Sequence, residues 1–199
     1  MKVKDRIMWI IEHTRQKDVL DIGCVGIANP HGHREWLDGL IRRSAKFVFG
    51  IDNNIKGIRR LKKRGYNCAV ADAENFSLPY KFDIVVASEI IEHLSNSGQF
   101  LDSVKRHLRR DGQLILTTPN AQYLYHLISS NSHSKDHVCT YTMQLLCQLL
   151  KRNGWDVIKK QYLNWGPPIS SLERIYHALF LRIFPRHANT IGVIAFPSK

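Results

Sequence analysis

Short apolar runs recur along this chain, and each of the first five ends in polar residues or glycine. The runs cover residues 19–22, 47–52, 68–73, 82–87 and 112–120. Such runs, bounded by turn residues, predict the strands of a parallel sheet that is buried on both faces. Asp111 and Gly112 predict a turn before the fifth strand. Two later stretches, at 156–162 and 190–196, predict a sixth strand and a last, antiparallel strand.

Helical patterns separate these strands. Helices are predicted over residues 5–15, 34–43, 55–64 and 143–152. Asn54 and Thr142 are suitable N-caps for the last two of these helices, and Gly65 suits the C-terminal end of the third. Because strands and helices alternate, the chain is predicted to have an α/β fold.

The size of the chain limits its organisation. With 199 residues, 44% of them hydrophobic, it has enough apolar material for one sizeable core and no room for a separate substrate domain. No apolar run approaches the roughly 20 residues of a membrane-spanning helix, and residues 1–6 lack an apolar signal core. We therefore expect a soluble, cytoplasmic protein with one domain over residues 1–199. The spacing of the cysteines indicates reduced thiols.

The net charge narrows the choice of partner. A formal charge of +12 and an isoelectric point near 9.7 imply attraction to an anion, whether nucleic acid, a phosphorylated substrate or an anionic membrane surface. Lys56, Arg59, Arg60 and Lys63 share one helical face by their spacing. Solvated helix faces would explain such clusters equally well.

The first two strands end in residues suited to binding a ligand. Asp21 is followed by glycines at Gly23 and Gly26, and glycine lets a backbone approach a ligand closely. Asp52 ends the second strand. A dinucleotide-type fold places near this point the carboxylate that accepts hydrogen bonds from the ribose hydroxyls. A strand-to-loop turn without a ligand is the alternative.

Two later segments complete a recognisable order. Residues 88–94 read S-E-I-I-E-H-L after the fourth strand, and residues 117–120 read T-T-P-N at the end of the fifth. With the glycine turn and the acids before them, they resemble the class I S-adenosylmethionine (SAM) dependent methyltransferases, in particular the small-molecule group (methyltransferase type 11) that includes the ubiquinone-type O-methyltransferases. The resemblance implies a single Rossmann-like, doubly wound sheet of seven strands, mostly parallel with an antiparallel last strand. It also implies SAM as cofactor and S-adenosylhomocysteine as product.

The resemblance also implies which residues hold SAM. Asp72 would accept a hydrogen bond from the adenine amino group, and Ala73 would donate its backbone N–H. The commonest family pattern, D-x-G-x-G-x-G, is altered here by Val25 and Ile27, and we interpret the turn as a variant. The full set of expected cofactor-binding residues is Asp21, Gly23, Cys24, Gly26, Asp52, Asn53, Asp72, Ala73 and Ser88.

Methyl transfer to a hydroxyl requires a group that removes its proton. His93 belongs to the family's E-H-L segment, and His137 opens a segment similar to the family's H-x-x-x-[FY]-[ST]. Histidine suits the task because its unperturbed pKa is roughly 6.5. We expect catalysis by His93 or His137, with Glu92 as orienting partner, although each suits an ordinary polar loop as well. No metal is expected, since His31 and His33 alone do not form a complete site.

The acceptor is left open by the sequence. A small molecule, a glycan or a lipid-linked acceptor is expected, with O-methylation favoured. The basic charge suggests one alternative, an RNA methyltransferase of the same fold. The altered glycine turn suggests another, a non-catalytic SAM-binding or partner subunit. A helical insertion is predicted over 166–187. Its stretch 170–186 would pack on the core, cover the substrate or contact a membrane surface.

Overall fold

The computed structural model describes residues 2–26, 36–124, 136–165 and 176–198, without the side chains of 177 and 178. These residues form one eight-stranded sheet with the spatial order β1-β7-β8-β6-β5-β2-β3-β4. The strands are β1 Lys4–Asp5, β2 Asp18–Ile22, β3 Phe47–Asp52, β4 Cys68–Val70, β5 Phe82–Ser88, β6 Leu108–Pro119, β7 Trp155–Asn164 and β8 Thr190–Pro197.

The directions of the strands confirm the expected topology. Strands β2 to β6 are parallel neighbours, and only β8 runs against the strands beside it, β6 and β7. The expected number of seven strands was one too low. The additional strand is β1, which pairs with the end of β7. A strand of two residues carries no alternation that a sequence pattern could reveal.

Within the described residues five helices flank the sheet, and the three predicted caps form. They are α1 Arg6–Thr14, α2 Leu37–Arg42, α3 Ile55–Lys63, α4 Ser97–His107 and α5 Met143–Arg152. The side chain of Asn54 accepts a hydrogen bond from Gly57 N, and that of Thr142 accepts one from Leu145 N. Gly65 follows α3 with a φ of +80°, which glycine adopts without strain.

The sheet is covered on both faces. In β5, Ile84 and Val86 pack in a cluster with Trp9 of α1 and Ile41 of α2. The alternate residues Val85 and Ala87 pack with a second cluster that includes residues of α4 and α5. This alternation explains why the sequence of β5 is apolar throughout.

Two local predictions were wrong. Asp111 and Gly112 belong to β6, which already begins at Leu108, and no separate turn precedes it. The pairing of β6 with β5 instead shifts its register between Phe82 and Ile84, which takes up the extra residues. The third run is a strand only as far as Val70, because the chain then turns at Asp72.

Parts of two predicted segments lie outside the described residues. The first is the beginning of the helix predicted over 34–43, together with His31 and His33. The second is 166–175, so the insertion is described only from Tyr176, where short helical turns including α6 Leu181–Ile183 precede β8. Among the described helices, none is long and apolar enough to cross a membrane.

Candidate active site

The turn after β2 depends on two glycines with left-handed backbone angles. Gly23 has a φ of +86° and Gly26 a φ of +65°. A Cβ atom on Gly23 would lie 2.5 Å from Cδ1 of Ile90. The N–H of Gly23 donates to the carbonyl of Ile51 at 2.8 Å, which holds the turn against β3. Both positions therefore require glycine for their backbone angles, and Gly23 also for its close contact with Ile90.

Asp52 connects this turn to the start of α3. Its Oδ2 atom accepts a hydrogen bond from Val25 N at 3.0 Å, and its Oδ1 atom accepts one from Asn54 N at 2.8 Å. Each carboxylate oxygen can accept a further bond. Asn53 lies exposed beside it. Asp52 is thus fixed at the carboxyl end of β3, where parallel sheets bind ligands.

Asp21 and Cys24 are buried beneath the turn. The carboxyl of Asp21 is hydrogen-bonded to Asp38, and burial together with the charge of Asp38 raises the pKa of Asp21 well above its usual range. Arg42 pairs with Asp38. Cys24 is 1% exposed, and burial raises the pKa of its thiol. The side chains of Asp21 and Cys24 therefore support the turn from below, and any contact of either residue with a cofactor would come through the backbone.

The segment after β4 is held in place by α4. Asp72 is exposed, and its Oδ1 accepts a hydrogen bond from Glu74 N at 2.9 Å. Ala73, between them, is half-buried. Glu74 accepts bonds from the backbone N–H groups of residues 95 and 96, just before α4. The expected adenine-binding pair, Asp72 and Ala73, thus lies on a loop that Glu74 anchors to the residues before α4.

A chain of hydrogen bonds joins the ends of β5 and β6. Ser88 bonds to Thr117 with 2.9 Å between their hydroxyl oxygens, and Thr117 donates to Oε1 of Glu89 at 2.9 Å. Arg6 donates to the hydroxyl of Ser88. Glu89 has a φ of +58°, an unusual backbone angle for a residue with a side chain. Strained residues of this kind cluster at functional sites.

Arg6 is a buried cation at this edge of the sheet that the sequence did not reveal. It lies in α1, is 8% exposed, and its guanidinium is 4.0 Å from the carboxylate of Glu89. Its Nε atom has no hydrogen-bond partner within the described part of the chain. Burial lowers the pKa of Arg6. An arginine beside Ile7 and Met8 gives no sequence signal, because its burial depends on the packing of α1 against the sheet.

The three expected catalytic residues come together beyond β5. The rings of His93 and His137 are 4.9 Å apart between centroids, edge to face. One potential ligand atom from each of Glu92, His93 and His137 lies within 4.8 Å of the others. The backbone carbonyl of Glu92 accepts a bond from Val138 N at 2.8 Å, which brings the segment of His137 to this position. A carboxylate and two imidazoles at this spacing could also hold a divalent cation.

Burial gives Glu92 unusual proton chemistry. The residue is 1% exposed, and its Oε2 atom accepts a hydrogen bond from Thr118 at 2.9 Å. Its Oε1 atom has no partner among the described residues. Burial, and secondarily the charge of Glu89, raises the pKa of Glu92 to about 8. The carboxyl can therefore exchange a proton near neutral pH.

Comparisons with known proteins identify the family and the fold of the chain. A family model described as a methyltransferase domain matches residues 3–160. The ubiquinone biosynthesis O-methyltransferase of Rickettsia akari is 24% identical over 155 residues, which cover 64% of this chain and 58% of that protein. The chain thus spans less than two thirds of the length of this relative.

Two solved structures share the fold. A SAM-dependent methyltransferase from Archaeoglobus fulgidus has a TM-score of 0.70 at 21% identity, covering 96% of this chain and 90% of that one. The N-methyltransferase NodS from Bradyrhizobium japonicum, in complex with S-adenosylhomocysteine, has a TM-score of 0.64 at 14% identity, covering 98% and 86%. Because the family model matches well over half of its residues, the chain belongs to the class I SAM-dependent methyltransferases.

Proposed function

We propose that this chain transfers the methyl group of SAM to a hydroxyl oxygen of a small organic acceptor. The observation that carries the proposal is the cluster of Glu92, His93 and His137, which combines a buried carboxyl with two imidazoles. An imidazole that is held beside a bound hydroxyl can act as the general base that removes its proton, and a neighbouring carboxyl can orient the imidazole. An amine or thiolate that is already nucleophilic would not require them. The relative from Rickettsia akari, by its name, methylates oxygen.

The residues at the carboxyl ends of the strands fit the parts of SAM. Asp52 suits the ribose hydroxyls, and Asp72 with Ala73 suits adenine. We assign the methionine portion to the backbone of the glycine turn, where Gly23 and Gly26 have left-handed φ angles. Arg6 lies beside Ser88 at the same edge, with a buried Nε atom that has no described partner, and a guanidinium suits a carboxylate. We therefore assign Arg6 to the methionine carboxylate.

When bound, SAM supplies a methyl group already activated by its sulfonium. Transfer of this methyl group to an acceptor oxygen would leave S-adenosylhomocysteine as product, with the electron pair of the broken carbon–sulfur bond on sulfur. What the chain must do is align the acceptor, exclude water and remove the hydroxyl proton. His93 is our first candidate for the base and His137 our second, with Glu92 orienting them. A divalent cation held by the three side chains would act differently, by lowering the pKa of the hydroxyl.

The test begins with the cofactor. Calorimetric titration of SAM and S-adenosylhomocysteine should give binding that Asp52→Ala weakens by at least tenfold, about 1.4 kcal/mol. Asp102→Ala, on the exposed side of α4, is the matched control and should bind normally. Wild-type protein that binds neither compound would refute the proposal.

The second step tests the acceptor chemistry. Hydroxylated small molecules and short RNAs are offered together with methyl-labelled SAM, with and without a chelator. His93→Asn should abolish labelling while SAM binding persists. Labelling of RNA alone would replace our proposal by the RNA methyltransferase alternative. Loss of labelling on chelation, restored by one divalent cation, would assign the cluster to metal binding and overturn the assignment of His93 as base.

A further inference from the structure

A cleft outside the candidate active site lies between α5, β7 and the turn that precedes β8. It is a shallow depression, open to solvent, with a volume of about 480 Å³. Lys151 of α5, Lys160 of β7 and Arg186 of the turn line it. Tyr162 and Gln122 contribute a hydroxyl and an amide. None of its lining residues belongs to the cluster of Glu92, His93 and His137 or to the glycine turn.

The charge of this cleft is entirely positive. Three of its lining residues are cationic and none is a carboxylate. Within the part of the chain that the structure describes, none of these three cations forms an ion pair with an acidic side chain. Cations that converge on one concave surface focus a positive potential, which an anion would neutralise.

Each polar side chain that lines the cleft carries an N–H or O–H group and can donate a hydrogen bond to an anion. The Nε atom of Arg186 is 3.2 Å from Nε2 of His187, which restrains the guanidinium while its terminal nitrogens carry further N–H groups. Burial raises the pKa of Tyr162, so its hydroxyl keeps its proton at neutral pH. A doubly or triply charged ligand with several acceptor oxygens matches this set better than a single carboxylate does.

We propose that this cleft binds a phosphoryl group, as phosphate or diphosphate. The group can belong to a soluble phosphate ester or to a phospholipid headgroup. The second source is raised by three exposed apolar side chains close to Arg186 in the chain. Leu179 is 65% exposed, Ile183 70% and Phe184 44%. Such residues beside a cationic site are suited to the interface of a membrane.

Binding of inorganic pyrophosphate, measured by calorimetry at low salt, tests the site directly. The double variant Lys160→Gln/Arg186→Gln should bind pyrophosphate at least about tenfold more weakly, since it loses two charge-assisted contacts. The control Lys62→Gln/Lys63→Gln removes two exposed cations of α3 and changes the net charge equally. It should bind within about twofold of the wild type. Thermal unfolding of each variant verifies that it is folded.

Flotation with vesicles separates the two sources. Vesicles of phosphatidylcholine with phosphatidic acid are compared with vesicles of phosphatidylcholine alone. Pyrophosphate binding without flotation assigns the cleft to soluble phosphates. Flotation that requires phosphatidic acid and is lost in the cleft variant assigns it to headgroups. Absence of both, or an equal loss of pyrophosphate binding in the α3 control, would overturn the proposal.

Discussion

Thr118 donates a hydrogen bond to the buried carboxyl of Glu92 at 2.9 Å and so stabilises its ionised form. Thr118→Val keeps the shape of the side chain and removes the donor. We expect the pKa of Glu92 to rise above its present value of about 8. If the ionised carboxylate orients His93, the acidic limb of the pH–rate profile should move to higher pH. A limb that stays in place would show that Glu92 does not titrate in the reaction.

Glu92 also makes the stability of the fold depend on pH. Its pKa rises from 4.5 to about 8 on folding. Between these two pKa values the folded protein binds a proton that the unfolded chain has released. The contribution of Glu92 to the free energy of unfolding therefore decreases as pH rises. Glu92→Gln should therefore be stabilised relative to the wild type at pH 9 and much less so at pH 5. Urea unfolding at both pH values measures this, and Asp102→Asn should show no such trend.

His107 acts in the opposite direction. Its Nε2 atom accepts a hydrogen bond from Leu78 N at 2.8 Å, and its Nδ1 atom bonds to the carbonyl of Ser103 at 2.7 Å. Burial lowers the pKa of His107, and the charges of Lys81 and Arg106 add to the effect. Its stabilising contribution is complete above the ordinary histidine pKa and is lost as pH falls toward the folded value.

His107→Gln should accordingly lower the free energy of unfolding at pH 7.5 by about 1–3 kcal/mol, since the Leu78 N–H loses its acceptor. At pH 5 the difference from the wild type should shrink. Urea unfolding at the two pH values measures both. A constant difference would show that His107 is not the group that titrates.

Two glycines allow backbone strain to be separated from close contact. Gly65 has a φ of +80° and nothing within 4 Å of a Cβ, whereas Gly23 combines its φ of +86° with the contact to Ile90. Gly65→Ala should cost about 1–2 kcal/mol of stability from the left-handed backbone alone and leave SAM affinity unchanged. Gly23→Ala should cost more and also weaken SAM binding. Equal SAM affinities in the two variants would remove the turn from the cofactor site.

Much of the fold could be predicted because its central strands are buried on both faces. A strand such as β5 must then be apolar throughout, and a residue such as Asp52 stands out where the run ends. The helix caps could be predicted as well, because the side chains of Asn54 and Thr142 bond to N–H groups only three residues further along the chain. The edge strand β1 was missed because its pairing depends on β7, far along the chain.

The site was only partly predictable, because contacts between segments that are far apart in the chain bring its residues together. Glu92, His93 and His137 were named individually, but the contact that joins them runs from the Glu92 carbonyl to the backbone of Val138. Arg6 was missed because a buried arginine is identified by its surroundings, here Ser88 and Glu89. The cationic cleft joins Lys151, Lys160 and Arg186 from three elements, which the spread of charge along the sequence did not indicate.

The antiparallel strand β8 has a consequence for the order of assembly. It is inserted between β6 and β7, and its Gly192 leaves room for Trp9, since a Cβ there would lie 2.9 Å from that ring. The helix that carries Arg6 thus packs on a strand that runs antiparallel to both of its neighbours. Until β8 is in place, β7 lacks the strand with which it pairs along most of its length, and Trp9 of the first helix lacks part of the surface on which it packs. The position of Arg6 at the site therefore depends on β8.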